Sequence, residues 1–318
     1  MHMDLILNII FLIISFYIIT KAADYFVDEA ANVGLKFGMS KLTIGLTIVA
    51  IGTSLPELIT SLSAFLFSEN ASQFIIGTTL GSNITNILLA FGLFLIFSGN
   101  FETKKKETYN VLFLLFTTII LSLFIILGYV NYTVLLLLTF YVFYIIFLSK
   151  FHKAEVINEE KELVDSKKHG IGTSIIILIF SFIGLFLGAK LVIFSIENLG
   201  EILAIPAAYL TLSTISVATS LPEIAVTVAA ARKKEHLIAI GNILGTNIMN
   251  VCLIIGLSGF AGYYAINTSL YIVSIIFFLL ATFIFSWMVL RKKFYGKIGY
   301  LFLFMYVLYL GSLISHMV

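Results

Sequence analysis

Thr47-Ile-Val-Ala-Ile-Gly-Thr-Ser-Leu-Pro-Glu57-Leu-Ile-Thr-Ser61 is an apolar run interrupted by a proline and a carboxylate. It returns as Ser213-Thr-Ile-Ser-Val-Ala-Thr-Ser-Leu-Pro-Glu223-Ile-Ala-Val-Thr227. Each copy is followed by a second matching pair, Gly77-Thr-Thr-Leu-Gly-Ser-Asn-Ile-Thr-Asn86 and Gly241-Asn-Ile-Leu-Gly-Thr-Asn-Ile-Met-Asn250. Glu57 and Asn86 are 29 residues apart, and Glu223 and Asn250 are 27 apart. Two motifs recurring together at nearly one spacing mark an internal duplication.

The surroundings of these motifs are those of a membrane protein. The chain has 318 residues, of which 60% are hydrophobic and 11% charged, and its mean hydropathy is +1.09. Soluble domains carry about a quarter charged residues. A spanning helix needs about 20 mostly apolar residues. Ten segments qualify, at roughly 4–33, 41–67, 73–98, 109–128, 131–150, 171–195, 207–231, 237–261, 268–290 and 296–316. The start lacks the basic residues and cleavage site of a secretory signal, so the first segment reads as a retained helix. The expected architecture is an all-α membrane protein. Residues 1–150 form a first five-helix repeat, 151–170 a charged cytoplasmic linker, and 171–318 a second five-helix repeat.

Charge placement orients the spans. Seventeen of the nineteen basic residues fall in loops after odd-numbered spans, and Lys21 and Lys190 are the other two. Those loops are expected in the cytoplasm and both termini outside. With five spans per half, the second repeat enters from the opposite side, so the two repeats are inverted. Inverted repeats with interrupted helices near the midplane are a design of secondary transporters.

The chemistry concentrates in the repeated motifs. Glu57 and Glu223 are the only mid-span acids of their segments, and an intramembrane carboxylate faces a polar interior. Pro56 and Pro222 precede them, and each removes a helix hydrogen bond. That frees the carbonyls of Gly52 and Ala218, with those of Ala50 and Ser216 a turn or less away. Thr53, Ser54, Thr219 and Ser220 lie three or four residues before a Glu, on its helical face. Ser82 with Asn86 and Thr246 with Asn250 repeat that i, i+4 spacing. Carboxylates, carbonyls, hydroxyls and amides together are the ligand set of a hard cation, and calcium takes six to eight oxygens. Two carboxylates balance one divalent ion. An empty site is expected to hold protons or sodium rather than stand bare, which favours exchange over uniport. The five histidines fall in loops or at ends, and the one cysteine, Cys252, lies in an apolar run. A histidine or cysteine metal centre is therefore not expected.

At Gly52-Thr-Ser-Leu-Pro-Glu57 and its partner, the chain resembles the cation/calcium antiporter superfamily, in particular its prokaryotic sodium/calcium exchanger branch. The resemblance spans nearly the whole chain. It implies that the second, third, seventh and eighth helices surround a cluster of four ion sites. In it Glu57 and Glu223 bind calcium with Thr53, Thr219 and the carbonyls of Ala50 and Ser216. Ser54, Ser82, Ser220 and Thr246 help hold sodium, Asn86 and Asn250 flank the centre, and the first and sixth helices slide against this core. There are departures: Ala218 replaces a usual Gly, Ser216 an Ala, Thr246 a Ser, and Thr78 an Asn. Asn250 stands where microbial and potassium-dependent relatives often carry an acid, which implies exchange without potassium.

The expected function is electrogenic, potassium-independent exchange of calcium for sodium, by a plasma-membrane protein working as a monomer, with no cofactor and no nucleic-acid partner. The alternative is a proton/calcium, or other divalent cation, exchanger. Inverted halves argue against a channel. The spans offer no nucleophile–base pair that would suit a membrane enzyme.

Overall fold

The computed structural model describes residues 2–67, 71–103, 107–151, 170–202, 217 and 219–315. Helix α1 (His2–Lys36) is one 35-residue element. Ser40 caps the start of α2 by accepting from the Thr43 amide, and α2 then runs through Lys41–Ile44, Gly45–Val49 and Ala50–Phe67. Helix α3 comprises Ala71–Thr85, Asn86–Ala90 and Phe91–Ser98. Then come α4 (Thr108–Leu127), α5 (Leu136–Phe151), α6 (Ile171–Ile202) and α7 (Leu221–Arg232). Helix α8 comprises His236–Met249, Asn250–Ile255 and Gly256–Ser258, and α9 (Ile272–Arg291) and α10 (Gly296–Ser315) close the chain.

Among the described residues, eight helices are long and apolar enough to cross a membrane: α1–α4, α6 and α8–α10. Their outward faces carry Ile13, Phe180, Phe283 and Val307, all exposed, as hydrocarbon contact requires. The fold is that of a multi-pass helical membrane protein. Helix α5 with the turn before it forms a shorter apolar helix, Tyr132–Leu148. Much of the expected seventh span lies outside the described residues, and so does the linker apart from its end residues, Phe151 and Gly170. The ninth span begins at Ile272 rather than 268, because Thr268–Leu270 forms a tight 3-10 turn.

The all-helical expectation needs one correction. Two short antiparallel ribbons satisfy loop backbone groups. β1 (Phe101–Glu102) pairs with β4 (Lys293–Phe294), and β2 (Tyr129–Val130) with β3 (Tyr264–Ala265). Near the first ribbon Phe101 stacks on Phe294 and packs against a tilted His236 ring, and Asn100 accepts from the Gly296 amide. Lys41 pairs with Glu235 at 2.9 Å. These contacts gather the α1–α2, α3–α4, α7–α8 and α9–α10 connections at one end of the bundle, which are four of the five basic loops. The second ribbon ties the α4–α5 and α8–α9 connections, with Thr268 donating to the Ile125 carbonyl. Helix α3 stops at Gly99 (φ 70, ψ −146), and the 3-10 turn Gly259–Ala261 that follows α8 stops at Gly262 with nearly the same backbone (φ 81, ψ −140), a region open to glycine.

Candidate cation site

Helices α2 and α8 touch backbone to backbone. A Cβ on Gly45 would strike the Ile238 carbonyl, one on Gly241 the Leu42 carbonyl and Leu46 amide, and one on Gly245 the Leu46 carbonyl. Small residues permit this approach. It sets the Thr53–Glu57 turn of α2 against α7 and α8.

Two regular features shape the site. Asn86 and Asn250 each open a π-helical segment, Asn86–Ala90 in α3 and Asn250–Ile255 in α8. Such bulges re-aim side chains and recur at functional sites. The two prolines behave differently. Pro56 lies inside the continuous Ala50–Phe67 helix, whereas Ser220 adopts a turn (φ −86, ψ 1) and Pro222 sits in the first turn of α7. At that position its missing amide removes no helix bond.

Glu57 and Glu223 are both buried, 3% and 1% exposed. Their carboxyls interact with each other. Ser54 Oγ donates to Glu223 Oε1 at 3.2 Å, across the two halves. Ser220 lies beside the Glu57 carboxyl as its counterpart. Thr53 Oγ1 is 3.4 Å from the Ala50 carbonyl and 3.3 Å from Asn242 Oδ1. Ser82 Oγ and Thr219 Oγ1 lie 3.4 Å apart. Asn250 Nδ2 donates to Asn83 Oδ1 at 3.2 Å, and Asn83 Nδ2 to the Asn247 carbonyl at 3.3 Å.

Eight buried side-chain oxygens in these motifs have no hydrogen-bond partner: Glu57 Oε1 and Oε2, Glu223 Oε2, Ser220 Oγ, Thr79 Oγ1, Asn86 Oδ1, Asn247 Oδ1 and Asn250 Oδ1. Buried polar groups are nearly always satisfied, and each orphan costs about 1–3 kcal/mol. Unpartnered oxygens on both carboxylates and on Ser220 beside them suit a hard cation, which takes oxygen ligands of this kind. Of the residues expected at the site, Ser216 lies outside the described ones, as does Ala218. The contacts above join Ala50, Thr53, Ser54, Glu57, Ser220 and Glu223 in one group, and Thr246 joins it through Asn242. They pair Ser82 with Thr219 and tie Asn250 to Asn83, while Asn86 is buried on α3 at the matching position. Asn242, Thr227, Asn83 and Asn247 also take part, and the sequence reading gave them no role. Cys252 is buried and free.

Comparison with known proteins identifies the family and the fold. The family model described as sodium/calcium exchanger protein matches residues 7–150 and 173–314. The sodium/calcium exchanger MaX1 of Methanosarcina acetivorans is 29% identical, over 79% of this chain and 82% of its own length. The uncharacterized membrane protein MJ0091 of Methanocaldococcus jannaschii is 30% identical, over 97% of this chain and 99% of its own. A solved structure of the sodium-calcium exchanger NCX_Mj, soaked with sodium and calcium, superposes with a TM-score of 0.82 at 25% identity, covering 97% of this chain and 99% of that one. The chain belongs to the sodium/calcium exchanger family.

Proposed function

We propose that the chain is a secondary antiporter that exchanges calcium for sodium by alternating access. The observation that carries this reading is the buried, facing pair Glu57 and Glu223, with unpartnered oxygens on both and on Ser220 beside them, in a chain of the exchanger family. Glu57 and Glu223, with Thr53, Thr219 and the Ala50 and Ser216 carbonyls, hold calcium. Ser54, Ser82, Ser220 and Thr246 help hold sodium, and Asn86 and Asn250 flank the centre.

The reading includes ten spans in two inverted five-helix repeats, 1–150 and 171–318. The ribbons support it: exchanging the halves turns the β1–β4 pair into the β3–β2 pair at the opposite end of the bundle. So does the placement of four basic loops at one end, here taken as cytoplasmic. Hydroxyls stand beside both carboxylates and offer places for more monovalent ions than two carboxylates neutralise, so exchange moves net charge. Asn250 adds no third acid, in keeping with independence from potassium. The transporter works as a monomer in the plasma membrane and catalyses no covalent chemistry.

The test is calcium uptake into liposomes loaded with sodium. Uptake that rises with the outward sodium gradient and with an inside-positive potential, which drives out the net positive charge carried by sodium, supports electrogenic exchange. Uptake indifferent to sodium but driven by a pH gradient overturns it in favour of proton exchange.

A further inference from the structure

Asn242 is buried on α8, 1% exposed, and three hydrogen bonds converge on it from three helices. Thr53 Oγ1 of α2 lies 3.3 Å from its Oδ1 and 3.4 Å from the Ala50 carbonyl, and Thr246 Oγ1 of α8 donates to the same Oδ1 at 3.4 Å. Its Nδ2 donates to Thr227 Oγ1 of α7 at 3.0 Å. Thr227 is itself fully buried. With its amide nitrogen held by Thr227, the side chain turns its oxygen towards the two hydroxyls.

The matching position in the first repeat is Thr78, and it does nothing comparable. Its hydroxyl bonds back to its own helix, at the Phe74 and Ile75 carbonyls. The hydroxyls matching Thr53 and Thr246 are Thr219 and Ser82, and these lie 3.4 Å from each other. The chemistry of the two half-sites therefore differs. A hydroxyl has one proton and two lone pairs. When Thr53 and Thr246 both give their protons to Asn242, both keep their lone pairs for a cation. When Ser82 and Thr219 share a bond, one of them spends a lone pair on the other.

We propose that Asn242 is a positioning residue that polarises the Thr53 and Thr246 hydroxyls, so that the half-site they form binds cations more tightly than the half-site of Thr219 and Ser82. Outer-shell partners of this kind commonly change metal affinity 10- to 100-fold. The inference rests on the exchanger reading above.

The experiment measures how the melting temperature of the purified full chain responds to sodium and to calcium, for wild type, Asn242→Thr and Asn242→Asp. Asn242→Thr copies Thr78 and removes the shared acceptor. It is expected to raise the half-saturating concentration of both ions about tenfold or more. Asn242→Asp keeps an acceptor facing both hydroxyls and loses the amide donor to Thr227. It is expected to hold or lower the half-saturating concentration. A purely structural role for the Thr227 bond predicts the reverse, with Asp as damaging as Thr, and that result overturns the assignment. So does Asn242→Thr with wild-type ion responses. A wild-type protein whose melting ignores both ions overturns the exchanger reading itself, which separates the two failures.

Discussion

The α2–α8 crossing and the α1–α6 pair are both long helix–helix contacts, yet they are built differently. Of the most apolar stretch of α8, 94% of residues are buried, against 22% in α1 and 28% in α6. Where α2 and α8 cross, glycines meet backbone atoms, at Gly45, Gly241 and Gly245. Two α6 glycines meet side chains first: Gly188 faces Ile19 of α1, with the Ser15 carbonyl farther off at 3.4 Å, and Gly184 faces the Ala22 methyl. A backbone contact has no way to yield, whereas a side chain can change rotamer. The site residues sit on the unyielding elements, and the pair at the lipid boundary has the softer interface. Phe26 of α1 reaches between them, packing on Gly52 one turn before Glu57. This difference suits a fixed site with a moving flank, the arrangement the exchanger reading requires.

The largest effect is expected at the centre. Glu57→Gln and Glu223→Gln each keep shape and remove a charge, and each should abolish sodium-driven calcium uptake while the protein still folds. Retained uptake in either variant would take that carboxylate out of the ion path. Next comes Gly241→Val, which drives a branched side chain into the Leu42 carbonyl and Leu46 amide. Overpacking of a tight core costs about 1–3 kcal/mol, occasionally more, and here the obstacle is backbone. A clear fall in melting temperature is expected, larger than for Gly188→Val, where Ile19 is the obstacle. Equal losses at the two glycines would erase the contrast between crossing and pair.

Much of the crossing was legible in the sequence, and little of the pair was. The repeated Pro-Glu motifs pointed to Glu57 and Glu223 because an acid within an apolar span stands out. The basic loops located one end of the bundle because lysine and arginine are rare elsewhere. The π-helical segments at Asn86 and Asn250 left no compositional trace, since one extra residue in a turn changes neither hydropathy nor period. Asn242 stood out less for a different reason: the departure at Thr78 marks the difference between the repeats, but only the hydrogen bonds to Thr53, Thr246 and Thr227 show what Asn242 does with it. The pair carries a repeat signal of its own. The 166-residue offset between Glu57 and Glu223 also relates Asn8 to Ser174 and Asn32 to Asn198. Asn250 carries the next prediction. Asn250→Asp places a third carboxylate where an amide oxygen is unpartnered, and its protonation would change the charge of the site. Exchange by this variant should depend on pH over a range where the wild type is flat. An unchanged profile with transport intact would move Asn250 away from the ions.

The smallest effect is expected where α1 and α6 are pinned. Asn32 Nδ2 of α1 donates to Ser174 Oγ of α6 at 2.6 Å, and Asn198 Nδ2 of α6 donates to Asn8 Oδ1 of α1 at 3.4 Å. The repeat offset exchanges these two bonds, so each end of the pair carries one copy. Between them the contact is made of side chains such as Ile19 and Ala22, which fix the distance between the helices but only weakly their register. The two polar bonds supply the register, and they would let α1 and α6 move as one body. Interhelical hydrogen bonds in membrane proteins average about 0.6 kcal/mol, with a maximum near 1.7 kcal/mol. A double-mutant cycle on Asn32→Ala and Ser174→Ala, read from unfolding free energies, should give a coupling in that range. The longer Asn198–Asn8 bond should give less. Melting responses to sodium and calcium should stay as in the wild type, because neither bond touches the site. A coupling well above that range would make the pair as rigid as the α2–α8 crossing. A shifted ion response would mean that the register of the flank is felt at Glu57, with Phe26 on Gly52 as the contact through which it is felt.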